Sequence, residues 1–177
     1  VTGAGTLQSA ISATIPGICR SHPDYNDLRL TVMALGGYFG SRLMCNIREE
    51  KGLTYGISSY LSGAHEGSYT TIAATCDKQN TDIVLEEISK ELKQLAVSPP
   101  SGDELSRLKR HAMTSLAQTL DSPASIMGYY TTSLLVGTPA DYFEAQQAAI
   151  KSITSDRIAS LAARYLQPDK LRTAVAS

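Results

Sequence analysis

The chain has 177 residues, 42% of them hydrophobic and 19% charged, with a formal net charge of -1. A domain of that length can bury about 70% of its unfolded surface, and so balanced a charge leaves no basic face for nucleic acid. No apolar run is long enough to span a membrane, and residues 1–5 lack the charged and apolar regions of a signal peptide.

Residues 6–15 alternate, with Leu7, Ser9, Ile11, Ala13 and Ile15 on one face and Gln8, Ala10, Ser12 and Thr14 on the other. This predicts a half-buried strand ended by Pro16-Gly17. Pro23 at a first helical position, with Asp24 and Asp27 in the first turn, opens a helix striped by Tyr25, Leu28, Val32 and Leu35. Gly36-Gly37 stops that helix. From 41 to 51, Leu43, Met44 and Ile47 recur at helical spacing, and Gly52 sits where a helix commonly ends in a left-handed residue. Arg48 and Lys51 fall in its last turn, where cations suit the helix dipole. The periodicity then becomes that of a strand over 54–62, with Tyr55, Ile57 and Leu61 on one face. A turn over 62–67 leads to a second strand at about 68–76, so the two form a hairpin.

From Thr81 the pattern turns helical. Thr81 is expected to cap a helix carrying Val84, Leu85, Ile88, Leu92 and Leu95. Pro99-Pro100 breaks it, and Ser101-Gly102-Asp103-Glu104 is a capping box for the next, with Leu105, Leu108, Ala112, Leu116 and Leu120. Ser122-Pro123 starts a third, striped by Ile126, Met127, Tyr130 and Leu134; a short helix through Tyr142, Phe143 and Ile150 follows. Ile153-Thr154 opens the last helix, carrying Ile158, Leu161, Ala162 and Tyr165, before a closing strand over 171–176. There is no internal repeat, low-complexity tract or linker. The order of elements predicts an α+β fold, one domain over 1–177, with helices on one face of a mainly antiparallel sheet.

Cys19, Cys45 and Cys76 are an odd number in a chain long enough to fold without staples, and they read as free thiols, two of them inside apolar elements. Cys19 and His22 have the gap of some zinc sites, but no second pair completes a set of four ligands. His65 in a turn and His111 on a charged helix face read as solvated. Arg42, Glu49 and Glu50 read as structural, and Tyr129-Tyr130 as core or interface filler.

Leu35-Gly36-Gly37, then Ser41-Arg42-Leu43, then Arg48-Glu49, Gly52-Leu53 and Tyr55 stand at fixed spacing. This run resembles the signature of the C-terminal, non-zinc half-domain of the insulinase/pitrilysin metallopeptidases and the mitochondrial processing peptidases. The resemblance implies the same α+β half-domain. It also implies that Arg48 and Tyr55 face a zinc-bearing half across a closed chamber and hold the substrate backbone near the scissile bond. On the residues alone both stay open to a structural role: Arg48 as a dipole-matched cation paired with Glu49 or Glu50, and Tyr55 as a core residue beside Ile57 and Leu61.

The catalytic half of such enzymes carries H-x-x-E-H. His22, His65 and His111 are all more than four residues apart, so this chain offers no metal ligands of that kind. The resemblance therefore implies zinc in a partner half, an N-terminal domain or homologous subunit, with a peptide as substrate; this chain alone is expected to be inert. A homo-oligomer stays open, as does the compartment. The alternative is a catalytically inactive scaffold or peptide-binding subunit of a larger complex. A third reading, a small metal module through Cys19 and His22, needs metal that survives dialysis.

Overall fold

The computed structural model describes residues 7–63 and 67–177. Strands β1 (Gln8–Pro16), β2 (Gly56–Gly63), β3 (Ser68–Asp77) and β4 (Arg172–Ala176) form one antiparallel sheet in the order β2-β3-β1-β4. Ala13 pairs with Ile72 and Thr173, and Ile57 with Ala74. Because strand side chains alternate, this register gathers Ile11, Ala13, Ile15, Ile57, Ile72, Ala74 and Cys76 on one buried face. Gln8, Ala10, Ser12 and Ser58 on the other face stay exposed.

Helices α1 (Tyr25–Gly36), α2 (Thr81–Val97), α3 (Gly102–Gln118), α4 (Pro123–Leu135), α5 (Tyr142–Ser152) and α6 (Ser155–Tyr165) supply the second layer. Tyr25, Leu28, Val32 and Leu35 are all buried, and α1 packs against β2, α3, α5 and α6. Val84, Ile88, Leu92 and Leu95 of α2, with Leu108, Ala112 and Leu116 of α3, complete the core. The expected α+β architecture is thus the observed one.

Local signals set several boundaries. Ser101 accepts the Glu104 N–H at 3.2 Å while Glu104 accepts the Ser101 N–H at 2.7 Å, so the capping box forms as expected. Thr154 caps α6 by accepting the Arg157 N–H at 3.2 Å. Thr81, expected as a cap, is instead the first residue of α2 behind Asn80. Its hydroxyl donates to the Lys78 carbonyl at 2.8 Å and pairs with the buried Ser9 hydroxyl at 2.8 Å, so it serves the preceding turn and β1. Pro23 lies two residues ahead of α1, and Asp24 stands at its cap position without capping it. The Asp24 and Asp27 carboxylates accept the Arg157 guanidinium at 2.7 and 2.9 Å, and Tyr165 donates to Asp24 at 2.7 Å. The first turn of α1 is thereby fastened to α6.

The stripe expected to bury α4 does not do so. Ile126, Met127, Tyr130 and Leu134 are exposed, as is Leu120, which lies beyond the end of α3; the buried residue of α4 is Ser133. Helical spacing shows that residues share a face, whereas which face meets the core is set by neighbours. Leu7, expected on the buried face of β1, lies just before the strand and is exposed. Cys76 is buried and Cys45 exposed, so one of the two thiols placed in apolar interiors faces solvent; Cys45, Cys76 and half-buried Cys19 are free. His111 is not simply solvated: its ring stacks on Tyr38 at 4.9 Å. Residue 6 of the first expected strand, residues 64–66 of the hairpin turn and His65 lie outside the described residues.

Candidate functional site: the Gly36–Tyr55 segment

Between α1 and β2 the chain makes a helix of a wider kind than the spacing predicts. Met44–Glu50 is π-helical, each bonded N–H lying five residues beyond its carbonyl instead of four. At its end the Lys51 N–H donates to the Asn46 carbonyl at 3.1 Å and the Leu53 N–H to the Ile47 carbonyl at 2.9 Å. Leu43 and Ile47, four apart, remain fully buried, so the core contacts survive the widening. Gly52 closes the segment with φ of +61°, its N–H donating to the Arg48 carbonyl at 3.1 Å. That is the left-handed ending expected from the sequence.

Polar struts fasten the segment to α2 and α3. Arg42 donates to Glu104 at 3.2 Å, as its structural reading expects. Asn46 donates to Glu87 at 2.8 Å and to Glu91 at 2.7 Å, and Lys51 makes an ion pair with Glu87. The two carboxyls are pushed in opposite directions. Hydrogen bonds from Lys51 and then Asn46 hold Glu87 below its ordinary value, whereas burial pushes Glu91 above it despite the Asn46 bond.

A depressed carboxyl adds stability that is present above its unfolded pKa and lost as pH falls through the folded value. A raised one carries a cost once ionised, and that cost disappears in acid. Glu87→Gln is therefore expected to lose about 1 kcal/mol at neutral pH, the difference fading below about pH 4. Glu91→Gln keeps an acceptor for Asn46 and is expected to match or exceed the wild type at neutral pH, converging with it in acid. Urea midpoints at neutral and acid pH check both; equal losses for the two variants contradict this account.

Arg48 leaves the π-helix partly exposed. Its Cζ sits 5.4 Å from the centre of the Phe39 ring, and Nη1 lies 3.7 Å from Glu49 Oε1. Phe39 is 61% exposed, and its place between the glycines at 37 and 40 is the one local sign in the chain that its ring stands apart from the core. Tyr55 is 67% exposed and so is not the core residue that strand alternation suggested. The cause is Thr54, which is buried and whose hydroxyl donates to the Thr75 carbonyl at 2.6 Å and accepts the Gly56 N–H at 3.2 Å. With Thr54 pinned inward and the Tyr55 N–H bonded to the Thr75 carbonyl at 3.2 Å, the Tyr55 ring stands outside. Alternation begins only at Gly56.

Arg48 and Tyr55 thus leave the two ends of one short turn as exposed donors, and among the described residues no hydrogen bond joins their side chains. A guanidinium and a phenol can both donate to a carbonyl oxygen or an oxyanion. The zinc-type spacing elsewhere is used otherwise: His22 accepts the Asp24 N–H at 3.0 Å, and Cys19 lies 3.3 Å from the Ser21 hydroxyl. Among the described residues, no group of three or more His, Cys, Asp or Glu could hold a metal ion. The residues described here do not fit a zinc centre.

Residues 5–111 match the family profile described as the peptidase M16 inactive domain. An uncharacterized zinc protease of Streptomyces coelicolor is 27% identical over 160 residues, 90% of this chain and 35% of that protein. The chain spans about a third of the length of the curated relatives it matches. The peptidase M16 inactive domain from Pseudomonas fluorescens superposes with a TM-score of 0.86 at 26% identity, covering 96% of this chain and 40% of that one. A protease from Helicobacter pylori shares the fold with a TM-score of 0.91 at 16% identity, over 100% of this chain and 43% of that one. The profile covers well over half of the chain and includes the whole Gly36–Tyr55 segment, so this chain belongs to the peptidase M16 inactive-domain family.

Proposed function

We propose that the chain is the non-catalytic half of a zinc metallopeptidase of the insulinase/pitrilysin or processing-peptidase kind. It encloses peptides opposite a zinc-bearing half supplied by another domain or subunit. The observation that carries this reading is the family match to an inactive domain, in relatives that are named zinc proteases and are more than twice as long.

In this reading Arg48 and Tyr55 are auxiliary catalytic and substrate-binding residues. The Arg48 fork and the Tyr55 hydroxyl hold the peptide carbonyl and stabilise the charge that develops on its oxygen. Phe39 beneath the guanidinium limits its motion, and Gly52 sets the turn that separates the two donors. Bringing them to the peptide requires the two halves to close, a lid-type step.

The test is reconstitution. The 177-residue chain alone is expected to cleave no peptide and to lose added zinc on dialysis; combined with the remainder of its parent protein, or with a zinc-bearing neighbour subunit, it is expected to hydrolyse quenched fluorogenic peptides. Zinc retained at one per chain by the isolated chain overturns the reading. A stable, zinc-loaded assembly without turnover favours the scaffold alternative instead.

A further inference from the structure

A cavity of about 530 Å³ opens among α1, α3, α4 and α5, and shares no lining residue with the Gly36–Tyr55 segment. Its walls include Arg20 from the loop before α1, Tyr25 and Arg29 of α1, Tyr129 of α4, and Tyr142 and Gln146 of α5. The volume lies within the range of small-molecule sites, which are about 300–1,000 Å³ with a few convergent polar groups.

Two guanidinium groups line one cavity without a counter-charge. Neither Arg20 nor Arg29 takes part in an ion pair among the described residues. The Nε atoms of both are sealed from solvent and have no hydrogen-bond partner among the described residues. Buried polar groups are nearly always bonded, and a buried charge left alone is costly. Aromatic rings supply part of the compensation: Arg20 Cζ lies 5.7 Å from the centre of the Tyr25 ring and 5.9 Å from that of Tyr142. Ring faces attract a cation but leave most of its N–H groups unbonded. The phenols are themselves committed, Tyr129 donating to Gln146 at 2.8 Å and Tyr142 to Asn26 at 3.0 Å. Burial also lowers the pKa of Arg29, the Tyr142, Tyr25 and Tyr129 phenols opposing it and Arg20 adding to the fall. Among the described residues, the cavity lining has no acceptor with negative charge.

We propose that this cavity binds the oxyanion head of a small organic ligand, a carboxylate or a phosphate ester, through Arg20 and Arg29. Guanidinium forks match the paired oxygens of either group. The tyrosine rings provide apolar walls for the body that carries it. The proposal stands on this geometry and does not depend on the peptidase reading.

The experiment is calorimetric and thermal titration of the 177-residue chain with benzoate, phenyl phosphate and inorganic phosphate, at ionic strength fixed with sodium chloride. At least one probe is expected to bind saturably at one site per chain and to raise the unfolding temperature. Arg29→Met is expected to weaken that affinity by about 10- to 100-fold, the value of a lost hydrogen bond to a charged group. Arg20→Gln is expected to weaken it in the same direction, and keeps the test open if Arg29→Met fails to fold. Binding of benzoate alone identifies a carboxylate ligand, and binding of the phosphates a phosphate ligand. In chloride buffer without a probe, Arg29→Met is expected to unfold no earlier than the wild type, because it removes a guanidinium whose sealed Nε has no partner among the described residues. No response to any probe, or binding by both variants as tight as that of the wild type, overturns the proposal. So does an Arg29→Met chain that is less stable than the wild type in plain buffer while its response to the probes is unchanged.

Discussion

In the peptidase assembly proposed above, Arg48→Ala is expected to lower kcat/KM for peptides by about 10²–10³-fold, the usual effect of removing one oxyanion donor. The same change is expected to leave the fold of this chain almost untouched. Arg48 is part-exposed, and its ion pair is a 3.7 Å contact with its own neighbour Glu49; exposed pairs of that kind contribute at most about 1 kcal/mol. Its position over Phe39 adds about 0.5–1 kcal/mol, as exposed cation–π contacts do. Activity and stability therefore separate cleanly at this residue. Tyr55→Phe makes the sharper control, because it removes only a hydroxyl that bonds no other described residue. A fall in kcat with KM unchanged identifies donors that act on the transition state, whereas a rise in KM alone identifies ground-state binding. Arg48→Lys retains the charge but not the fork, and is expected to recover little. Normal turnover by Arg48→Ala in a zinc-loaded, folded assembly removes Arg48 from the site.

Much of this arrangement could be read from the residues, because period-2 and helical patterns report directly on burial. The alternation of Ser9, Ile11, Ala13 and Ile15 placed β1, and Tyr25, Leu28, Val32 and Leu35 placed the buried face of α1. Gly52 and the Ser101–Glu104 box marked their boundaries because each is a local backbone requirement. The π-helix was not legible: Leu43 and Ile47 keep the same four-residue spacing in either kind of helix, and the difference lies in backbone bonding. Nor was the exposure of Tyr55, since it depends on Thr54 reaching the Thr75 carbonyl of another strand. The outward face of α4 defeats spacing arguments for a similar reason: an apolar stripe states that a surface exists and not what lies beside it. The Arg20–Arg29 cavity is further still from the sequence, being assembled from α1, α3, α4 and α5.

The largest loss of stability is expected from adding one methyl group, in Gly36→Ala. A Cβ at this position meets the Ser59 backbone nitrogen at 2.8 Å, the Ser59 hydroxyl at 2.8 Å and Leu43 Cδ1 at 2.9 Å. Two of these neighbours cannot swing aside cheaply. The Ser59 nitrogen belongs to β2, and the Ser59 hydroxyl donates to the Val32 carbonyl in the last turn of α1 at 2.7 Å. Moving it breaks a buried bond that ties β2 to α1. Relief must therefore come from separating α1 and β2, and overpacking of this kind costs about 1–3 kcal/mol. For a domain of this size that is about 3–10 °C in unfolding temperature. Gly52→Ala provides the contrast: no atom lies within 4 Å of the added Cβ, and the cost is that of φ at +61°, about 1–2 kcal/mol. The two glycines are required for different reasons, space at Gly36 and backbone hand at Gly52, so Gly52→Asn is expected to recover much of its loss and Gly36→Asn none. Since Leu43 borders the space a Gly36 Cβ would fill and the π-helix that carries Arg48 packs against β2, Gly36→Ala is also expected to lower peptide turnover in the proposed assembly beyond what its unfolded fraction explains. Thermal unfolding of the four variants, with turnover measured well below their midpoints, decides the matter; a Gly36→Ala chain as stable as the wild type shows that α1 and β2 do not need their close approach.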